Sequence, residues 1–357
     1  MYTVMVLSYE RAIESRPPMG DITRGRIVLR RTLLMTAGAG LIAAALAATP
    51  VAAASGKMTL YTSQPDKDAA QTVAAFRKLH PGVEVEVFRS GTTEVMGKLA
   101  AEFSAGAGRA DVLFIADAVS MEALKRDGRL HAYTEAKVDG FAPETFDKGR
   151  TYFGSKLITS GIVVNAAAKE KPTSWADLAK PEFKGQISMP SPLYSGAAAI
   201  MLSAIAARPD LGWGWYEKLK ANEAQAVRGN GAVLKSVAGG EKAHGVLVDF
   251  MAFNAKAKGS PVDFVVPKEG MPAVTEPVAI LKGAANMEAA KAFIDFILSD
   301  EGQKLAVSQG YIPAKKGITN PEWLPAGVEL KLMPLDLEAI LTATDADKKR
   351  FADMFGG

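Results

Sequence analysis

Cysteine is absent from this chain of 357 residues, and histidine occurs only three times. The absence of thiols excludes a cysteine nucleophile, a cysteine-ligated zinc ion and an iron–sulfur cluster. His80, His131 and His244 lie far apart, and no two of them have the spacing typical of metal ligands. We therefore predict that the protein carries no metal site and no cofactor.

A net charge is also missing from the body of the chain. Lys and Arg total 42 against 39 Asp and Glu, but residues 1–54 hold six of the arginines and only three acidic residues. Removing these leaves 36 residues of each sign, so the remainder is neutral. A neutral body has no general field that would attract nucleic acid or an anionic membrane. We expect no nucleic-acid partner, and any recognition of charge must be local.

The short motifs of several enzyme classes are missing as well. The chain has no G-x-S-x-G elbow, P-loop, dinucleotide-binding fingerprint or H-E-x-x-H pair. Apolar residues make up 48% and charged residues 23%, which is ordinary for a globular protein, and the length suggests about two domains. We predict that the protein is not an enzyme; an exported hydrolase using Ser195, or a sensor partner, is the alternative.

Residues 1–54 have the three parts of an export signal. A basic segment with Arg30 and Arg31 precedes the uncharged apolar stretch 33–48, and small residues at 51–54 suit a peptidase. The arginine pair also resembles a twin-arginine signal, so the Sec and twin-arginine routes both stay open. We expect cleavage after Ala54 and a periplasmic mature protein; a membrane-spanning anchor is the alternative reading.

Strand and helix patterns alternate from residue 58 onward. Short apolar or period-two strands at 58–61, 83–88 and 111–115 are each followed by a segment of helical spacing. A second series begins with the strand 158–164, and no Pro/Gly/Ser-rich linker separates the two series. This order predicts two α/β lobes, each a mostly parallel sheet flanked by helices, joined by strand-like hinges.

Eight short motifs carry a resemblance to a known family. They are Leu60–Ser63, Arg89–Thr93, Arg109–Val112, Thr173–Leu178, Ser195–Ala198, Glu276–Ile280, Phe293–Phe296 and Ser299–Gln303. In this order, behind an export signal, they resemble the periplasmic extracellular solute-binding protein of a bacterial ABC importer. The resemblance covers residues 57 to about 318. It is greatest to the branch that binds ferric ion, sugar phosphates or aminoethylphosphonate.

This resemblance implies a fold and a set of partners. It implies the type II-like, two-lobed architecture, in which the lobes close on a ligand. Lobe 1 would comprise residues 55–158 and 272–318, and lobe 2 residues 159–271 and 319–357, with residues 1–54 removed. The expected partners are a small anionic solute and an ABC permease in the inner membrane, and the expected state is a monomer.

Two strand-to-helix turns are candidates for an anion site. They are Ser90-Gly91-Thr92-Thr93 and Tyr194-Ser195-Gly196-Ala197. Helix N-termini offer free N–H groups and a partial positive charge, which suits anions, although Ser and Thr are also ordinary N-caps. The resemblance adds Asn230 to the second turn as part of an anion pocket. It also places Thr62 and Ser63 in the first ligand-facing loop.

The carboxylates and the missing iron ligands narrow the ligand class. The resemblance places tyrosines where Phe250 and Met251 stand, and neither side chain offers the oxygen that Fe³⁺ requires. Asp249 and Glu276 would bond ligand hydroxyls or an ammonium, or else serve as a helix N-cap and an interlobe salt bridge. We predict capture of a phosphonate or a sugar or polyol phosphate. Ferric ion, a polyamine or a carboxylate is the alternative.

Overall fold

In the computed structural model, which describes residues 54–356, the first strands form a parallel group. β1 (Gly56–Thr62) lies between β2 (Val83–Arg89) and β3 (Val112–Phe114). The helices after these strands are α1 (Asp66–Leu79), α2 (Thr92–Ser104) and α3 (Ala118–Arg126). Each of these predicted elements is present within three residues of its predicted ends. The sequence identifies them because apolar positions repeat at one period per element.

Strand β4 (Phe153–Asn165) belongs to two sheets. Its first half pairs antiparallel with β9 (Ala273–Ile280). β9 also pairs with β3, so these strands and the parallel group form the first sheet. Its second half, from Ser160, pairs with β7 (His244–Val248) and β8 (Val262–Val265), and this is the second sheet. The strand was predicted to begin at Ile158, which is wrong. The strand pattern was not recognised before Ile158 because Ser155 and Lys156 are polar, although both are buried in the structure.

The second sheet repeats the parallel arrangement. β5 (Ile187–Pro190) lies between β7 and β6 (Gln225–Val227) and is parallel to both. The helices of this part are α4 (Gly196–Ala206), α5 (Gly212–Ala221), α6 (Asn230–Ala238) and α7 (Asp249–Ala257). Short 3-10 turns lie at Pro143–Thr145, Ala176–Ala179 and Pro181–Phe183.

The end of the chain contacts both sheets. α8 (Met287–Leu298) packs on β9, and β10 (Ile312–Pro313) pairs with the first half of β4. α9 (Asp300–Ser308) contacts α8, β10 and β4. α10 (Leu337–Phe355) packs on α4 and α5 and also contacts α3. The export-signal prediction falls almost wholly on residues 1–53, outside the described residues. Among residues 54–356, no helix combines the length and apolar character that crossing a membrane requires.

Three groups of apolar side chains explain how the parts hold together. Beside the first sheet, Phe76 and Phe293 pack edge to face with their centroids 5.1 Å apart. Beside the second sheet, Trp175 and Trp215 pack edge to face in a separate core. A third group, which includes Phe250 of α7, lies where the two sheets meet. The meeting point is thus apolar and well packed behind the surfaces that face each other.

We expect Phe293→Ala to destabilise the protein by about 3–5 kcal/mol, because it leaves a cavity in a core where Phe293 is fully buried. Leu79→Ala is the control: Leu79 is 56% exposed and its truncation should change stability by less than about 0.5 kcal/mol. Urea unfolding of both variants measures the difference. Equal stability of the two variants would contradict the assignment of this core.

Candidate ligand-binding site

A cavity of about 400 Å³ lies where the two sheets meet. Residues at the starts of five helices line it. They are Pro65 and Asp66 at α1, Gly91 and Thr92 at α2, Ser195–Ala197 at α4, Gly229–Ala232 at α6, and Val248, Phe250 and Met251 at α7. Each of these helices follows a strand. Parallel strand–helix units bring such N-termini to the carboxyl edge of a sheet, where ligands bind in open α/β folds.

The start of α4 provides unpaired donors. The Ser195 hydroxyl caps the helix by accepting from the Ala198 N–H at 3.3 Å, and it also accepts from the Asn230 amide at 3.2 Å. Among residues 54–356, the backbone N–H groups of Gly196 and Ala197 donate to no acceptor. Both residues line the cavity. Ser195 is therefore an N-cap and a cavity-lining residue at once.

Gly196 and Gly91 allow the two sides of the cavity to approach. A Cβ on Gly196 would lie 2.7 Å from the Ala116 carbonyl oxygen and 2.7 Å from the Thr92 hydroxyl. A Cβ on Gly91 would lie 2.4 Å from the Tyr194 carbonyl oxygen. Contacts this short are not tolerated, so glycine is required at both positions in this arrangement.

Tyr194 fills the space between the start of α2 and the start of α6. Its ring faces Gly91 and Gly229, and its hydroxyl accepts a hydrogen bond from Arg89 Nη1 at 3.3 Å. The Arg228 guanidinium lies over the ring, 4.7 Å from its centroid. The predicted site residue Tyr194 thus lines the cavity and also joins the turn after β2 to the turn after β6.

Ser90 and Thr93 lie beside the cavity and do not line it. The Ser90 hydroxyl donates to Glu94, and the Thr93 hydroxyl donates to the Pro192 carbonyl oxygen at 3.3 Å. The Thr93 backbone N–H donates to the Tyr194 carbonyl oxygen at 3.4 Å. These contacts join α2 to the loop before α4, and the cavity-facing residues of the first turn are Gly91 and Thr92.

The cavity is also lined by two arginines, Arg89 and Arg228, which the sequence analysis did not name as site residues. Arg89 Nε donates to the Gln64 carbonyl oxygen at 2.6 Å and lies 3.4 Å from Asp66. Arg228 Nη2 lies 3.0 and 3.1 Å from the two oxygens of Glu94. Arg89 is the last residue of β2 and directly precedes the turn Ser90–Thr93. Arg228 directly follows β6 and lies two residues before Asn230. That position relative to the turn was the signal that could have found them.

The loop after β1 contributes Ser63 but not Thr62. The Thr62 side chain is fully buried, and its hydroxyl donates to the Phe114 carbonyl oxygen at 2.7 Å. Ser63 lines the cavity, and its hydroxyl accepts from the Ala116 N–H at 3.0 Å. Thr62 is turned inward because alternate residues of a strand point to opposite faces.

Glu276 lines the cavity from strand β9 and is already paired. Its Oε2 lies 2.7 Å from the Lys156 ammonium and accepts from Gln64 at 3.4 Å. Burial raises the pKa of this carboxyl, while Lys156 opposes that shift. Glu276 does form a salt bridge, but its partner lies on the neighbouring strand β4 of the same sheet, so the alternative prediction of an interlobe salt bridge is wrong.

Asp249 lies behind the cavity wall. Its Oδ2 accepts from the backbone N–H and the hydroxyl of Thr159, at 3.1 and 2.7 Å, and its Oδ1 accepts from the Phe250 N–H. Burial raises the pKa of Asp249 to about 7, against the effect of these donors. The carboxyl thus ties α7 to the crossing strand β4, and Phe250 and Met251 line the cavity in its place.

Two sheets that share a crossing strand, with a cavity where they meet, define the class of two-lobed binding proteins. Residues 109–333 match the family of bacterial extracellular solute-binding proteins, and the chain belongs to that family. The fold matches a solved structure of the periplasmic binding protein AfuA of Actinobacillus pleuropneumoniae with exogenous fructose-6-phosphate bound. The TM-score is 0.76 and the identity 25%, over 84% of this chain and 98% of the other. The predictions of family and fold class are confirmed.

Curated relatives match most of the chain, but their names do not fix its ligand. An uncharacterized protein of Haemophilus influenzae is 29% identical over 325 residues, which is 85% of this chain and 91% of the relative. A putrescine/cadaverine-binding protein of Pseudomonas aeruginosa is 28% identical, over 72% of this chain and 79% of its own length. The names of these relatives therefore do not identify the ligand of this chain.

We expect Gly196→Ala to hold the two sides of the cavity apart, because the new Cβ meets a backbone oxygen that cannot move alone. The matched control is Gly97→Ala, since Gly97 lies on α2 with no atom within 4 Å of its Cβ position. Small-angle X-ray scattering should give a larger radius of gyration for Gly196→Ala only, with an unchanged far-UV circular dichroism spectrum. Identical scattering from both variants would contradict this role.

The raised pKa of Asp249 predicts a pH dependence of stability. Between about pH 4, where Asp ionises in the unfolded chain, and about pH 7, only the unfolded state loses this proton, so the free energy of unfolding falls as pH rises. The slope from this group is at most about 1.4 kcal/mol per pH unit. Urea unfolding should show a shallower fall over this range for Asp249→Asn than for wild type. Parallel profiles would contradict the prediction.

Proposed function

We propose that this protein is the substrate-binding component of an ABC importer and captures a small organophosphorus anion, a phosphonate or a sugar or polyol phosphate. The observation that carries the proposal is the convergence of three helix N-termini, those of α2, α4 and α6, on one cavity. The family membership supports the transport role. The residues of the cavity support the anionic ligand class.

The donors of the cavity suit a tetrahedral anion. Among residues 54–356, the first-turn N–H groups of Gly196, Ala197, Asn230 and Gly231 have no acceptor. Unpaired N–H groups at a helix start, together with the positive end of the helix dipole, stabilise phosphate oxygens. Arg89 and Arg228 add two charged donors at the same wall, and arginine matches phosphate with two parallel hydrogen bonds.

A polyamine fits this wall less well. A diamine carries two positive charges, which Arg89 and Arg228 would repel. The carboxylates that could attract it are engaged, since Glu276 pairs with Lys156 and Asp66 lies beside Arg89. The name of the Pseudomonas relative keeps a polyamine among the compounds to test, but the charges favour an anion.

Ferric ion is disfavoured by the residues in the same wall. Phe250 and Met251 contribute apolar surface to the cavity. A trivalent ion needs several anionic oxygen ligands, and among residues 54–356 no group of three His, Cys, Asp or Glu residues could hold a metal. The partly apolar wall better suits the carbon skeleton of a phosphate ester or phosphonate.

Closure of the two lobes couples binding to recognition by the permease. Donors on α2 lie on one side of the cavity and those on α4 and α6 on the other, so only the closed form offers the ligand both sets. We keep the lobe boundaries at residues 55–158 with 272–318 and 159–271 with 319–357. Met333 and Phe351 support the last assignment because they lie in the core beside the second sheet. The mature protein would act as a periplasmic monomer.

A ligand panel tests the proposal. Protein refolded from denaturant, to remove any bound solute, is heated with inorganic phosphate, 2-aminoethylphosphonate, hexose phosphates, glycerol phosphate, ferric citrate and spermidine. A true ligand at about 1,000 times its dissociation constant adds about 4 kcal/mol of stability. We expect a rise in melting temperature with a phosphorylated or phosphonate compound. A rise only with ferric citrate or spermidine would contradict the proposal.

Arg228→Met should weaken binding of the phosphorylated ligand about 10- to 100-fold, because it removes a charged hydrogen-bond donor. Arg350→Met is a closely matched control. Arg350 also lies 3.0 Å from a glutamate and over an aromatic ring, at 4.3 Å from Trp213, but on α10 away from the cavity. Calorimetric titration measures both affinities. Equal affinity of the two variants would contradict a ligand-binding role for Arg228.

A further inference from the structure

We propose that Lys156 sets the specificity of the cavity by making Glu276 a partner for ligand hydroxyls and not for ligand amines. This inference rests on the proposed function and deepens it, because it separates hydroxyl-bearing phosphates and phosphonates from aminated ones. It concerns the Glu276 end of the cavity, away from the helix N-termini proposed to bind the phosphate.

Lys156 is held behind the cavity wall with one ionic partner. The Lys156 and Glu276 side chains are each 2% exposed, and the ammonium lies 2.7 Å from Glu276 Oε2. The ammonium also lies 3.7 Å from the ring centroid of Tyr311, whose hydroxyl donates to Asp68 at 2.8 Å. The Tyr311 hydroxyl leaves the charge of Asp68 in place, and this charge also acts on Glu276. Among residues 54–356, however, the only ion pair of Lys156 is with Glu276.

Glu276 has one oxygen left for a ligand. Lys156 and Gln64 both contact Oε2. Among residues 54–356, Oε1 accepts no hydrogen bond, although Glu276 lines the cavity. The oxygen that remains for a ligand donor is therefore Oε1.

The charge of Lys156 decides which donor Oε1 prefers. A hydroxyl donates to a carboxylate without bringing a charge, so it leaves the buried pair balanced. An ammonium would bring a second positive charge to a carboxylate that is already paired with Lys156, in a place where water cannot screen the repulsion between the two cations. The cavity should therefore reject an amine at this end. It should accept a hydroxyl in the same position.

Two matched ligand pairs test this directly by calorimetric titration at about pH 7, where alkyl amines are protonated and carry a positive charge. They are 2-hydroxyethyl phosphate with 2-aminoethyl phosphate, and glucose 6-phosphate with glucosamine 6-phosphate. We expect wild type to bind the hydroxyl compound of at least one pair on the order of tenfold more tightly. Equal or tighter binding of the amine in both pairs would overturn the inference.

Variants assign the discrimination to Lys156. In Lys156→Met the ratio should shift toward the amine by at least about tenfold, because a ligand ammonium replaces the missing charge. The shift should be smaller in the double variant K156M/E276Q, because a neutral amide does not attract an ammonium. Lys242→Met is the control: Lys242 is a buried lysine that donates to the Gly185 carbonyl oxygen, and it does not line the cavity. Its ratio should match wild type.

The outcomes separate this inference from the proposed function. An unchanged ratio in folded Lys156→Met overturns the role of Lys156, while tight binding of phosphate esters leaves the proposed function standing. Should Lys156→Met not fold, K156M/E276Q decides, since it leaves neither member of the pair charged. Its preference for the hydroxyl compound should be weaker than that of wild type, and an unchanged preference overturns the role of Lys156. Failure of wild type to bind any of the four compounds overturns the proposed function, and this inference falls with it.

Discussion

The N–H groups in the first turn of an α-helix have no acceptor within the helix, and here the first turns of α2, α4 and α6 border one cavity. Their orientation follows from the parallel strand–helix units, which place helix starts at one edge of each sheet. Strand β4 then sets the two edges against each other because it runs from the first sheet into the second. The polar character of the cavity is thus largely a consequence of backbone geometry.

Side chains refine this backbone site and keep its parts together. Glycines at 91 and 196 permit the close approach, and Tyr194 fills the space between the two sides. The surrounding charges are arranged in pairs, such as Arg228 with Glu94 at the rim and Lys156 with Glu276 in the interior. A ligand phosphate can compete for the exposed arginine, whereas the buried pair is costly to break. In our proposal, the arginine at the rim therefore turns toward the ligand, while the buried pair discriminates between ligands.

The sequence predicts the fold well because the apolar periods of its strands and helices are regular and local. It also identifies the turn at Ser195, where serine and glycine follow a proline-containing loop. It does not reveal that Thr62 and Asp249 point away from the cavity, because their partners, Phe114 and Thr159, are distant in sequence. Arg89 and Arg228 escape notice for a similar reason, since they reach the cavity only after the two sheets come together.

A crystal structure with a bound phosphate ester would test the central claim most directly. The account predicts that the phosphoryl oxygens lie within hydrogen-bond distance of the Gly196 and Ala197 N–H groups, with Arg228 turned from Glu94 toward the ligand. Location of the phosphoryl group beside Glu276, or outside the cavity, would contradict the claim that the helix N-termini form the anion site.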